Sequence, residues 1–134
     1  MEAINHDRVT DWFRDNVPDI SSPLKFGLIS GGKSNLTYLV EDHEGRTFVL
    51  RRPPLGHVLE SAHDMHREYR IISSLYGTDV PVAKTFGICQ DKTITGTDFF
   101  VMDCVEGTVV HNVDASETIS EKNRYAFGKH FAEV

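Results

Sequence analysis

Leu28-Ile-Ser-Gly-Gly-Lys-Ser-Asn-Leu-Thr-Tyr-Leu-Val40, followed closely by Phe48-Val-Leu-Arg-Arg52, is the part of the sequence on which the fold turns. The apolar, β-branched and aromatic residues on either side of the glycine pair read as two strands joined by a glycine turn. Asp42-His-Glu-Gly45 supplies a second turn, with Gly where positive φ can be taken, and Thr47 to Arg51 continues as the next strand. Strand, glycine turn, strand, short turn, strand is an antiparallel meander that needs no parallel crossover.

A competing pattern runs through the same residues. Gly27-Leu-Ile-Ser-Gly-Gly-Lys-Ser34 matches G-x-x-x-x-G-K-[ST], in which a glycine loop leads from a strand into the N-terminus of a phosphate-holding helix. That mechanism requires a helix directly after the lysine, whereas Leu36-Thr-Tyr-Leu-Val40 has strand composition and runs into a hairpin turn. The meander is therefore expected; a parallel sheet would reverse the choice.

On the amino-terminal side, Asp7 to Val17 carries Val9, Trp12, Phe13 and Val17 at helical spacing, with Pro18 just beyond. This apolar stripe must dock on another element. Leu24 to Ser30 then reads as the strand entering the glycine turn. On the carboxyl-terminal side, Pro53-Pro54-Leu55-Gly56 ends the third strand, since proline supplies no ladder donor. Ser61-Ala-His-Asp64 reads as a capping box opening a helix through about Tyr76, stopped by Gly77. Pro81 to Cys89 and Phe99 to Val105 read as two more strands around a polar turn, Asp91 to Thr97. From Ser116 to Val134, Ile119, Tyr125, Phe127, Phe131 and Val134 alternate with charges, and a last helix is expected from near Ser120 with no stop before the end. The expected class is α+β: a five-stranded antiparallel sheet with a packed helix, preceded by a helix and followed by the start of a helical lobe.

Composition narrows the function classes. With 134 residues, 40% hydrophobic and 25% charged, the chain has the balance of one globular unit. No apolar run approaches the roughly 20 residues of a bilayer span, and Met1-Glu-Ala-Ile-Asn5 lacks the regions of a signal peptide, so no membrane is expected and the cytoplasm is. A net charge of −6 with dispersed Lys and Arg argues against nucleic acid. Cys89 and Cys104 lie in apolar runs without C-x-x-C spacing and read as free thiols.

Chemistry concentrates on the third strand and the helix after it. Strand alternation puts Val49 and Arg51 on one face and Phe48, Leu50 and Arg52 on the other. Phe48 and Leu50 look like core, which turns Arg51 toward the side covered by the glycine turn. On the helix, Met65, Glu68, Ile72 and Leu75 recur at steps of three and four, so Glu68 projects from the apolar face, where a carboxylate needs a partner. Arg51 is the candidate, because a guanidinium can bind carboxylate or phosphate oxygens through paired hydrogen bonds. Singly, Arg51 also reads as a solvated strand cation, and Glu68 as pairing with Arg67, Arg70 or water. Their joint spacing after a glycine hairpin favours the pair. His63 and His66 are three apart on the same helix without an evident third ligand, so no metal site is expected; His111 gets no role, and Ser34 lacks the partners of a nucleophile.

Ser30-Gly-Gly-Lys-Ser-Asn-Leu-Thr-Tyr38, Phe48-Val-Leu-Arg-Arg-Pro-Pro54, His66-Arg-Glu-Tyr69 and Val101-Met-Asp-Cys-Val-Glu-Gly107 together resemble the amino-terminal lobe of the aminoglycoside phosphotransferase and choline kinase family. The likeness is strongest to kinase-like domains related to those beside some acyl-CoA dehydrogenases, and it spans roughly Phe26 to Gly107. The resemblance implies an ATP-dependent phosphotransferase acting on a small-molecule hydroxyl. It implies that Gly31, Gly32, Ser34 and Asn35 cover the ATP phosphates largely through backbone donors. Arg51 would stand where V-A-I-K enzymes have lysine, with Glu68 as its helix partner and Val49 as the roof of the adenine. Met102 would back the pocket, and the main chain of Asp103 and Val105 would read the adenine edge.

Such enzymes also need an Asp that orients the acceptor and an Asn and Asp that hold Mg2+. No H-x-D-x-x-x-x-N or D-F-G follows Gly107. The expectation is thus a helix and connection over 1–22, a nucleotide-binding lobe over 23–107, and over 108–134 the connection and first helix of a truncated second lobe. No catalytic residue is expected within the chain: the catalytic Asp and the Mg2+ ligands are expected beyond Val134. The isolated lobe is expected to be inactive and open to self-association, and the acceptor stays open. The alternative is a non-catalytic module that binds nucleotide or a partner.

Overall fold

The computed structural model describes residues 4–30, 34–54, 56, 64–108, 110 and 112–134. The elements are α1 (His6–Asn16), β1 (Lys25–Ser30), β2 (Leu36–Glu41), β3 (Thr47–Arg52), α2 (Met65–Leu75), β4 (Thr85–Cys89), α3 (Lys92–Thr95), β5 (Phe99–Asp103), α4 (Val113–Glu117) and α5 (Glu121–Glu133). The strands form one sheet in the order β1-β2-β3-β5-β4, and each pairing is antiparallel. The expected α+β meander is therefore the observed fold. Leu36 opens a strand paired with Arg52 of β3, which removes the strand-to-helix reading of the glycine motif.

Alternation sorts the sheet into two faces. Val40, Phe48, Leu50, Phe99 and Val101 form one face and are fully or almost fully buried. Against them α1 lays Val9 and Phe13, both with no exposed surface, and Ile4 and Val17 close the ends. Phe13 meets the Phe48 ring edge-on at 5.8 Å, and Trp12 meets Phe99 edge-on at 5.1 Å. Burying each such ring stabilises by about 2–3 kcal/mol, so α1 completes the core of the sheet. The helix starts where Asn5 accepts from the Arg8 amide at 3.1 Å, satisfying one orphan donor of the first turn. The Trp12 ring also lies over Gly87 of β4, where an added Cβ would meet it in ordinary contact at 3.4 Å.

The opposite face is covered in part by α2. Tyr69 packs on Phe100 with ring centroids 6.0 Å apart, and the Ser73 and Thr85 hydroxyls share a 2.8 Å hydrogen bond that ties the helix to β4.

Element ends differ from the sequence expectation for physical reasons. Asp64 has extended backbone angles and accepts from the Arg67 amide at 3.1 Å, so it is the cap of α2 and not a residue of its first turn; Ser61 to His63 lie outside the described residues. Strand β4 starts at Thr85, not Pro81, and β5 ends at Asp103, before Val105. The polar Asp91–Thr97 turn holds α3, opened by Asp91, whose carboxylate accepts from the Thr93 amide at 2.9 Å, and closed by Gly96 at φ 83°. Helix α5 begins after Ser120, as expected, and the short α4 before it was not anticipated. Helix α5 spans Glu121–Glu133, and Tyr125, Phe127 and Phe131 on it are exposed.

Asp42 organises the β2–β3 turn. Its carboxylate, 2% exposed, accepts from the amides of Arg46 (2.8 Å), Glu44 (3.0 Å) and Ser21 (3.4 Å). Loss of water raises its pKa, but the main-chain donors and the charge of Arg46 outweigh that and hold it below the ordinary carboxylate value. Both cysteines are free, Cys89 buried and Cys104 partly so, and among the described residues no helix is long and apolar enough to cross a membrane.

Candidate functional site

The open face of the sheet brings Arg51 and Glu68 together. Register pairs Arg51 with Thr37 on β2 and Phe100 on β5, and Val49 with Met102 on β5, so Val49, Arg51 and Met102 share a face. Met65, 2% exposed, seats the first turn of α2, and one turn on, Glu68 is directed at β3. Arg51 Nε lies 2.9 Å from Glu68 Oε1, with the two side chains 29% and 28% exposed. At this exposure solvent screening leaves such a pair worth about 1 kcal/mol or less. Its value lies in orientation more than in stability.

Two features of the pair were not foreseen. Arg51 Nε is itself buried and its N–H makes no directed hydrogen bond, so the contact is an ion pair off the axis of the donor. The second carboxylate oxygen, Oε2, accepts from Asn35 Nδ2 at 3.3 Å. Three elements thus meet at one carboxylate: the residue just before β2, the end of β3 and the first turn of α2. The sequence did carry a signal for Asn35. Asn35 and Thr37 are two apart, and Thr37 faces Arg51, so alternation alone puts Asn35 on the same side.

The other expected residues are placed as follows. Ser34 is exposed and Asn35 partly buried; Gly31 and Gly32 lie outside the described residues. Val49 is nearly buried beside Met102. The Asp103 amide donates to Lys84 O at 2.8 Å, so that N–H is already engaged, and Val105 is 73% exposed past the strand end. His63 and His111 lie outside the described residues. His66 Nε2 is buried without a hydrogen-bond partner, and among the described residues no three His, Cys, Asp or Glu side chains gather as a metal cluster.

Arg52 shows what the other face does to the same side chain. It is 2% exposed, donates from Nη1 to Thr95 O at 3.1 Å and from Nε to Pro53 O at 3.3 Å, and so ties β3 to the end of α3. Burial pulls its pKa below the ordinary guanidinium value, partly offset by Tyr38.

Sequence and fold comparisons place the chain among known proteins. A sequence model of the phosphotransferase enzyme family (APH) matches residues 25–134. The chain is 37% identical over 112 residues to "Probable acyl-CoA dehydrogenase IBR3" of Arabidopsis thaliana, covering 78% of this chain and 14% of that protein. It is 36% identical over 89 residues to "Acyl-CoA dehydrogenase family member 10" of Mus musculus, covering 66% of this chain and 8% of that one. Among solved structures, a "putative aminoglycoside phosphotransferase" from Ralstonia eutropha JMP134 superposes with a TM-score of 0.67 at 32% identity, over 80% of this chain and 30% of that one. The chain spans less than a third of the length of each of these relatives. A five-stranded antiparallel sheet with a charge-paired helix, matched in sequence and in fold to kinase-like phosphotransferases, identifies the chain as a member of the phosphotransferase enzyme family.

Proposed function

We propose that this chain is the ATP-binding lobe of a phosphotransferase that phosphorylates a hydroxyl on a small molecule. The observation that carries the reading is the Arg51–Glu68 contact at 2.9 Å, on the face that also holds Val49, Met102 and Asn35. Phosphoryl transfer asks a protein chiefly to position phosphates and to spread positive charge over them. A partly exposed guanidinium opposite Thr37 near the start of β2 supplies that charge, and Glu68 keeps it from swinging into solvent. Gly31, Gly32, Ser34 and Asn35 then offer main-chain N–H groups to the phosphates. Val49 and Met102 form an apolar floor for adenine, and its polar edge meets the main chain of Asp103 and Val105. Because the Asp103 amide is engaged with Lys84, its contribution is through the carbonyl.

In this reading magnesium and the acceptor-orienting Asp are supplied by a second lobe. The sequence carries no H-x-D-x-x-x-x-N or D-F-G, so for the isolated chain the reading is nucleotide binding without transfer. In this reading the lobe is 23–107, preceded by a helix and connection over 1–22, whose α1 packs on the sheet, and followed over 108–134 by the connection and first helix of a second lobe; a cytoplasmic location belongs to the same reading, supported by the two free cysteines. The exposed Tyr125, Phe127 and Phe131 of α5 support self-association of the isolated chain.

Titrating ATP into isotope-labelled chain and following backbone amides by NMR tests the reading. Shifts should concentrate at Ser34, Asn35 and Arg51 and at Val49, Met102 and Val105. Perturbation confined to α1, or none at millimolar ATP, would overturn it.

A further inference from the structure

We infer that Asn35 is a positioning residue, whose carboxamide holds one oxygen of Glu68 so that Arg51 keeps both terminal nitrogens available for phosphate. The inference rests on the reading of Arg51 as the phosphate-facing cation. An unconstrained guanidinium and carboxylate favour a fork, two parallel N–H···O bonds that use two nitrogens at once. The structure shows a different arrangement. Oε2 of Glu68 accepts from Asn35 Nδ2 at 3.3 Å, and Oε1 meets Arg51 at Nε, 2.9 Å away. Among the described residues no hydrogen bond is made from Arg51 Nη1 or Nη2. With Oε2 held toward the β2 end and Oε1 at Nε, the carboxylate is not set as a fork on the two terminal nitrogens. The terminal nitrogens are left as a pair at the spacing of two phosphate oxygens.

Glu68 is anchored by its own helix and Arg51 by its strand, and the Asn35 carboxamide meets the pair at the carboxylate. Removing it frees Glu68 to form the fork and to withdraw one phosphate donor. Asn35→Ala should then lower ATP affinity about tenfold, the loss of roughly one charge-assisted hydrogen bond. Adenosine, which lacks phosphate, should bind as before. Asn35→Asp keeps the shape and loses the donor, so it should reduce ATP affinity at least as far.

The test is calorimetric titration of the full chain with ATP and, separately, with adenosine, for Asn35→Ala, Asn35→Asp, Glu68→Gln, the Asn35→Ala/Glu68→Gln double variant and Arg51→Ala. In the Glu68→Gln background the Asn35→Ala change should add less than about twofold, because the group it acts through is altered. A loss shared equally by adenosine, or one undiminished in the Glu68→Gln background, would overturn the positioning role. If Arg51→Ala left the advantage of ATP over adenosine intact, or the unaltered chain showed no such advantage, the phosphate reading itself would fail and the inference with it.

Discussion

Adjacent in sequence, Arg51 and Arg52 lie on opposite faces of β3, and the faces assign them different duties. Arg52 faces the side closed by α1, is 2% exposed and spends its donors on the carbonyls of Thr95 and Pro53. Arg51 faces the side only partly covered by α2, keeps 29% of its side chain exposed and meets one carboxylate off-axis. A cation whose donors are spent on main-chain carbonyls holds the fold together; one left partly open, with its terminal nitrogens uncommitted, can bind a ligand. The two-residue period of a strand is enough to make this division, since it turns neighbours to opposite environments.

The largest effect should come from the closed face. Phe13→Ala removes a fully buried ring that packs on Phe48 and should cost about 3–5 kcal/mol in denaturant unfolding. Survival of that variant with a loss below about 1 kcal/mol would mean that α1 is an accessory to the sheet and not part of its core. Next, Arg52→Ala strands the Thr95 carbonyl and opens a void, for an expected loss of about 2–3 kcal/mol. A loss as small as that of a surface arginine would erase the contrast between the neighbours.

Asp42 sharpens the comparison, because it is a buried charge with a structural duty alone. Asp42→Asn should cost about 1–2 kcal/mol at neutral pH, since the amide presents one acceptor oxygen to several main-chain donors. The sign of the pH dependence follows from the depressed folded-state pKa. The carboxylate's contribution is fully present above its unfolded value of about 3.9 and is lost as pH falls through the lower folded value. Unfolding free energies measured from pH 7 down to pH 2 should therefore fall less steeply for Asp42→Asn than for the unaltered chain; parallel curves would contradict the role given to the turn.

Much of this was legible in the sequence because it depends on local periodicity. The meander followed from glycine and aspartate turns between β-branched runs, the two faces of β3 from alternation, and the aim of Glu68 from its place in a three-and-four stripe. Less legible were contacts that depend on where distant segments finish. The bond from Asn35 to Glu68 joins residues 33 apart, and alternation gave its side but not its partner. The carbonyl partner of Arg52 at Thr95 comes from α3, a turn of helix inside a segment read as polar loop, although Asp91 and Gly96 are ordinary helix-end residues. The capping box read at Ser61 to Asp64 put the helix start too early, because the Asp64 carboxylate itself takes the Arg67 amide and α2 begins at Met65.

The most direct test of the division between the two arginines is ATP affinity set beside unfolding free energy for Arg51→Ala. The partly exposed pair contributes about 1 kcal/mol or less, so stability should barely change. Loss of the phosphate-facing cation should weaken ATP binding by about tenfold or more. Unchanged ATP affinity, or a stability loss matching that of Arg52→Ala, would contradict the assignment of Arg51 to nucleotide and return it to the fold.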